Sequence, residues 1–138
     1  MGRIIAIDYG LKRTGIAVTD PLKIIASPLV TIPTENLIDW LKDYFVSEKV
    51  ERIVIGMPTK LDQSDTHTTV PVKKLIQSLK THFPEFPLSE IDERFTSKIA
   101  MQSMVLSGMK KKNRQKKENI DKISAAIILQ SYLDQSTL

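Results

Sequence analysis

The run Ile4-Ile5-Ala6-Ile7 is apolar at every position and ends on the carboxylate of Asp8. A strand without a polar face must be covered on both sides, so this one belongs in the middle of a sheet with layers above and below. The run Ile53-Val54-Ile55-Gly56 makes the same demand. Around these two buried strands the rest of the chain has to be arranged. Residues 14–19 read as a second strand, reached through a tight turn at Gly10 and carrying Gly15 near its start. A third strand over 24–32 is interrupted by Pro28, which places it at an edge or bends it, because proline cannot donate to a ladder. Three strands with short connections predict an antiparallel meander.

The periodicity then changes. Thr34 is positioned to cap a helix over 35–47 whose Leu37, Ile38, Leu41 and Phe45 share one face. After the buried strand at 53–56 comes a loop, Met57 to Thr68, rich in Thr, Asp, Gln and Ser. Pro71 suits the first turn of the next helix, where Val72, Leu75, Ile76, Leu79 and Phe83 recur at helical spacing. Leu88 to Asp92 makes a fifth strand, and Thr96 or Ser97 caps a helix that stops near Gly108. A last helix, capped by Asn119 and running to Leu133, is apolar nearly all round and should be packed against the body. The order β-β-β-α-β-α-β-α-α predicts an α/β fold: a mixed five-stranded sheet ordered 3-2-1-4-5 with helices on both faces.

With 138 residues the chain is expected to form one domain, residues 1–138. No apolar run reaches the about 20 residues that span a bilayer, and Asp8 cuts the first one short, so neither a membrane segment nor a signal peptide is expected. The absence of cysteine excludes disulfides and thiolate zinc sites. These features point to the cytoplasm. His67 and His82 are too far apart to form a local pair and read as surface residues. The net charge of +4 is unevenly spread: residues 1–94 hold 12 basic and 13 acidic side chains, residues 95–138 hold 8 and 3. Six of the eight residues from Lys110 to Lys117 are cations (Lys110, Lys111, Lys112, Arg114, Lys116 and Lys117). Such a block favours a polyanion, nucleic acid first, and equally suits a solvated loop.

Three acidic positions fall at element ends. Asp8 closes the first strand, Asp92 and Glu93 close the fifth, and Asp121 lies in the first turn of the last helix. In the predicted strand order the carboxyl ends of strands one and five share a rim, so these groups converge if a helix start covers the gap. Magnesium prefers oxygen ligands, and two such ions about 3.5–4 Å apart stabilise both oxygens of a phosphodiester displacement. Each residue also has a simpler reading: Asp121 suits a helix dipole, and Asp92 and Glu93 solvate a strand end or pair with Arg94.

At this point the motifs resemble a known family. Asp8-Tyr9-Gly10 with Arg13, Gly15 and Ile16-Ala17-Val18 is similar to the opening motif of the YqgF-type proteins. Val54-Ile55-Gly56-Met57-Pro58 resembles their Gly-Leu-Pro motif, Asp92-Glu93-Arg94-Phe95-Thr96-Ser97 their Asp-Glu-Arg-Leu-Thr/Ser signature, and Lys117 with Asp121, Ser124, Ala125 and Ala126 their C-terminal pattern. The four stand in the family's order along the whole chain. The resemblance implies a ribonuclease H-like fold and a hydrolase that cuts phosphodiester bonds of structured nucleic acid, in pre-16S ribosomal RNA 5′-end maturation and ribosome biogenesis. Asp8, Glu93 and Asp121 would hold Mg2+ or Mn2+ and be the catalytic triad, with Asp92 shaping the site. Arg13, Arg94 and Lys117 would face phosphate, with Lys110, Lys111, Lys112, Arg114 and Lys116 gripping the backbone. Gly10 and Gly15 would keep the chain clear of the site. Met57 stands where the family has leucine, a volume-conserving change. The following loop lacks the family's Asp-Gly turn and reads Leu61-Asp62-Gln63-Ser64-Asp65.

Other activities compete with this reading. The same site would serve a Holliday junction resolvase on branched DNA, which needs two active sites and therefore a homodimer. A non-catalytic RNA-binding assembly factor would keep the fold and bind without metal. A nucleotide-hydrolysing domain of the actin and sugar-kinase type also begins with Asp-x-Gly, but needs two such domains around its nucleotide. Aromatic residues make up 6% of the chain and do not interleave with the lysines, which disfavours a base-stacking platform in the basic block.

Overall fold

In the computed structural model of the chain, residues 2–57, 69–92 and 117–136 are described. Five strands form one sheet in the order β3-β2-β1-β4-β5. They are β1 (Arg3–Asp8), β2 (Arg13–Thr19), β3 (Ala26–Pro33), β4 (Val50–Met57) and β5 (Leu88–Asp92). The first three make the antiparallel meander, and β1, β4 and β5 run parallel. Three helices accompany them: α1 (Leu37–Ser47), led in by a 3-10 turn over Thr34–Asn36, α2 (Thr69–His82), and α3 (Lys117–Ser136). The expected helix over 96–108 and the basic block before Lys117 lie outside the described residues.

Strand side chains alternate between the two faces, and the apolar residues divide accordingly. Ile5 and Ile7 of β1, Ile16 and Val18 of β2, and Ile53 and Ile55 of β4 pack with α1 and α2 in one core. Ile4 and Ala6, Ala17, Val54 and Ile91 form a second core with Ala125, Ile128, Leu129 and Leu133 of α3. That division is why β1 has no polar face. Every apolar position on it is buried. The two cores meet only through the sheet.

Several boundaries differ from the sequence reading, each for a local reason. The third strand starts at Ala26 because Ile24 and Ile25 donate their N–H groups to the Asp20 carboxylate, at 2.8 and 2.9 Å. That turn holds Lys23 at φ 61, the one non-glycine residue with positive φ among the described residues. Its Nζ lies 2.6 Å from Glu51, which anchors the turn on β4. Helix α2 begins at Thr69, so Pro71 is its third residue, still within the turn whose N–H groups have no helical partner. Helix α3 starts at Lys117, two residues before the expected Asn119 cap. Lys and Glu are good helix formers and asparagine a poor one, so the helix extends through Lys117-Glu118. Asp121 is consequently its fifth residue and sits in the second turn, away from the strongest part of the helix dipole.

Candidate metal centre on the sheet rim

The carboxyl ends of the parallel strands lie together along one rim. Asp8 ends β1, Gly56-Met57 ends β4, and Asp92 ends β5 in register with Met57. By strand alternation Asp8 shares the face of Ile4 and Ala6, the side covered by α3. Across the antiparallel ladder Asp8 is paired with Gly15. In such a pair the two Cα atoms stand about 4.5–5.5 Å apart.

Gly15 is where α3 comes down onto the sheet. A Cβ built on it would collide with the carbonyl group of Asp121 and lie 2.7 Å from the backbone nitrogen of Lys122. Only a residue without a side chain lets the helix approach this closely. Ala17 and Ala6, both fully buried on the same face, and Ala125 on the helix continue the narrow seam. One glycine thus stands between Asp8 and the backbone of Asp121. Gly15 is the third residue of β2, so its role is this contact with α3 rather than a turn. A small-x-small pattern at Gly15 and Ala17 is the sequence signal for it.

Arg13, at the start of β2, reaches Asp121: its Nε lies 3.4 Å from Oδ2, with the two side chains 41% and 28% exposed. A pair this open to solvent is worth little stability, so its main effect is positional. It brings a guanidinium to the rim, with donors in a fork suited to phosphate.

The β1–β2 hairpin that carries these groups is tied down by Thr34. Its hydroxyl donates to the Gly10 carbonyl at 2.6 Å and lies 2.9 Å from the Thr14 hydroxyl, and its N–H donates to the Lys12 carbonyl at 3.0 Å. The capping role expected for Thr34 is therefore not the one it plays. Pro33 precedes the 3-10 turn with no side-chain cap, and the Thr34 hydroxyl is committed to the hairpin instead. Gly10 makes the tight reversal, since a Cβ there would meet the Arg13 carbonyl.

Of the residues singled out from sequence, Asp8, Arg13, Gly10, Gly15 and Asp121 come together here. Asp92 and Lys117 are placed by their backbones, at the end of β5 and the start of α3. Glu93, Arg94, Lys110, Lys111, Lys112, Arg114, Lys116 and the loop 58–68 lie outside the described residues. Among the described residues no three His, Asp or Glu side chains form a metal-holding group. Two of the three expected ligands, Asp8 and Asp121, flank Gly15, and the third follows directly after Asp92 in sequence. Carboxylates at this rim are hard oxygen donors, the set that suits magnesium or manganese.

Residues 2–135 match the family described as RuvX: Holliday junction resolvase. The chain belongs to this family. A protein of Christiangramia forsetii named "Putative pre-16S rRNA nuclease" is 51% identical over 133 residues, covering 96% of this chain and 98% of that one. One of Bacteroides fragilis with the same name is 48% identical over 138 residues and covers both chains fully. Among solved structures, Thermus thermophilus RuvC in complex with a Holliday junction substrate aligns over 99% of this chain and 98% of its own, with a TM-score of 0.64 at 12% identity. The fowlpox virus resolvase, bound to Holliday junction DNA, aligns over 99% of each chain with a TM-score of 0.60 at 13% identity. Those likenesses identify the fold as RuvC-like, and family membership makes this RuvX chain a nuclease.

Proposed function

We propose that this RuvX protein is a metal-dependent phosphodiesterase of structured RNA, acting in the cytoplasm on the 5′ end of precursor 16S ribosomal RNA. The observation that carries the reading is the contact at Gly15. It sets Asp8 and Asp121 on either side of a single residue at the carboxyl rim, where the chain also brings Arg13. Asp8, Asp121 and Glu93 are the groups that would hold Mg2+ or Mn2+, and such an ion supplies an activated water and neutralises charge on the phosphate.

The chain's own residues do the rest. Asp8 and Asp121 present carboxylate oxygens from a strand and a helix fixed by two separate cores, so their spacing is set by packing rather than by a loop. Arg13 holds Asp121 in place and turns its remaining N–H donors toward phosphate. The basic block from Lys110 to Lys117 adds affinity without sequence information, since phosphate contacts position a substrate but do not specify it. The 48–51% identity to proteins named as pre-16S rRNA nucleases over nearly the whole chain supports RNA as the substrate.

The test is cleavage of a precursor 16S RNA fragment and a four-way DNA junction side by side, in magnesium, manganese or chelator. RNA cleavage that needs either metal is the expected result. Tight RNA binding with no turnover in any metal would replace the enzyme with a binding factor, and junction cleavage alone would move the substrate to DNA.

A further inference from the structure

The residue after Asp8 opens onto a different surface. Tyr9 packs against the α1/α2 core, on the side of the sheet opposite the face Asp8 shares with α3. Beside it lies a cleft of about 420 Å3, open at the same rim. Tyr9 and Leu11 of the hairpin form one wall, Glu35 and Ile38 at the start of α1 the second, and Lys74 and Ser78 of α2 the third. Leu11 is 54% exposed, a large apolar side chain held out at the hairpin tip by the Thr34 tie beneath it.

The chemistry of this cleft is not that of a phosphate site. Its walls are mostly apolar, and its polar groups are few: one hydroxyl from Thr34, one from Ser78, a carboxylate and an ammonium. That composition suits a flat, partly polar ring. Glu35 would repel a phosphate, yet it accepts hydrogen bonds from a base edge that donates them, as a carboxylate does with the N4 amine of cytosine. Lys74 supplies the cation for the phosphate attached to such a base.

The position fits as well. Asp8 and Tyr9 are consecutive, about 3.8 Å apart at Cα, which is close to the about 3.4 Å rise of one nucleotide along a strand. A backbone crossing the rim at Asp8 therefore brings its neighbouring nucleotide to Tyr9. Base-specific contacts to RNA are made to unpaired nucleotides, whose rings lie against aromatic side chains.

We infer that the cleft between the β1–β2 hairpin, α1 and α2 receives an unpaired nucleobase next to the scissile phosphate, against Tyr9 and Leu11, with Glu35 favouring a base that carries an exocyclic amine. This rests on the nuclease reading above for the phosphate and adds the recognition of its neighbour.

The test is equilibrium binding, in chelator so that nothing is cut, of an RNA hairpin with a single-stranded tail of cytidines or of uridines. Wild type should bind the cytidine tail several-fold more tightly. Tyr9→Leu and Leu11→Ser should each weaken both tails about tenfold, the scale of losing one base–aromatic contact. The slope of log affinity against log salt should stay unchanged in both variants, since no cation is removed. Glu35→Ala should erase the preference for cytidine. Leu11 is exposed at a hairpin tip, so its variant decides the matter even if Tyr9→Leu loosens the core. Wild-type affinity for both tails in Leu11→Ser and Tyr9→Leu, in a wild type that binds and cleaves RNA, overturns the cleft alone. A wild type that neither binds nor cleaves RNA overturns the nuclease reading and the cleft with it.

Discussion

Gly15→Ala is a one-methyl change whose consequences follow from the contact between β2 and α3. The added Cβ would lie 2.7 Å from the backbone nitrogen of Lys122, about 0.7 Å inside the 3.4 Å at which ordinary contact begins, and closer still to the Asp121 carbonyl. Backbone atoms cannot swing aside as a side chain tip can, so α3 must withdraw by about 1 Å. In an unobstructed strand the same change would stabilise by about 0.4–1 kcal/mol through the unfolded chain. Overpacking of this kind costs about 1–3 kcal/mol, so the clash wins and the net effect is a loss of about 1–2 kcal/mol. Calorimetry should show a melting point lower by roughly 4–8 °C. The larger effect falls on the site. Ligand distances at a metal tolerate about 0.2 Å, and a 1 Å misplacement of reacting groups costs on the order of a hundredfold in rate. Cleavage of the RNA fragment, followed against magnesium concentration, should therefore fall about a hundredfold and need more metal for half-maximal rate. A Gly15→Ala protein that cleaves at the wild-type rate with the wild-type metal midpoint would refute the placement of Asp121 as a ligand across Gly15.

Three further outcomes can be checked. Asp8→Asn should abolish metal-dependent cleavage while RNA binding in chelator stays within about twofold of wild type; measurable turnover at the normal rate would remove Asp8 from the metal site. Replacing Lys110, Lys111 and Lys112 by glutamine should reduce the slope of log affinity against log salt by about two to three, as each released counterion is lost; filter binding across a salt series reads this directly. Asp20 is held below its ordinary carboxylate value of 3.8, chiefly by the N–H of Ile25, with that of Ile24 adding to it. A depressed pKa stabilises the turn above about pH 3.8 and loses that stability as pH falls through the lower folded value. Exchange of the Ile24 and Ile25 amides, corrected for intrinsic rates, should quicken over that range in wild type and show no such step in Asp20→Asn.

The strand order was legible because parity carries information. Ile4-Ile5-Ala6-Ile7 and Ile53-Val54-Ile55 admit only central, doubly covered strands, and Pro28 admits only an edge. Helix faces on α1 and α2 were equally plain from spacing. What could not be read is whatever depends on a partner distant in the chain. Thr34 looks like a helix cap until the hairpin arrives to take its hydroxyl. Gly15 looks like a turn residue until α3 passes over it. Ile24 and Ile25 look like strand because β-branched residues favour strands, and only the Asp20 carboxylate reveals the turn. The carboxylates of the site were named from sequence as separate element ends. Their meeting across one glycine is a tertiary fact with no local signature beyond two small residues.

The two outer strands have a consequence for crowding. In β3 the pairing slips between Ile16 and Ala17, which face Val30 and Pro28, so that Leu29 bulges outward, 39% exposed. Pro28 offers no N–H to a newcomer, and Pro33 ends the strand. At the other margin β5 has only five residues, opening directly after Pro87. Neither margin is a template for another strand. Many copies can therefore gather along one polyanion, where local concentration is high, without their sheets merging into aggregates.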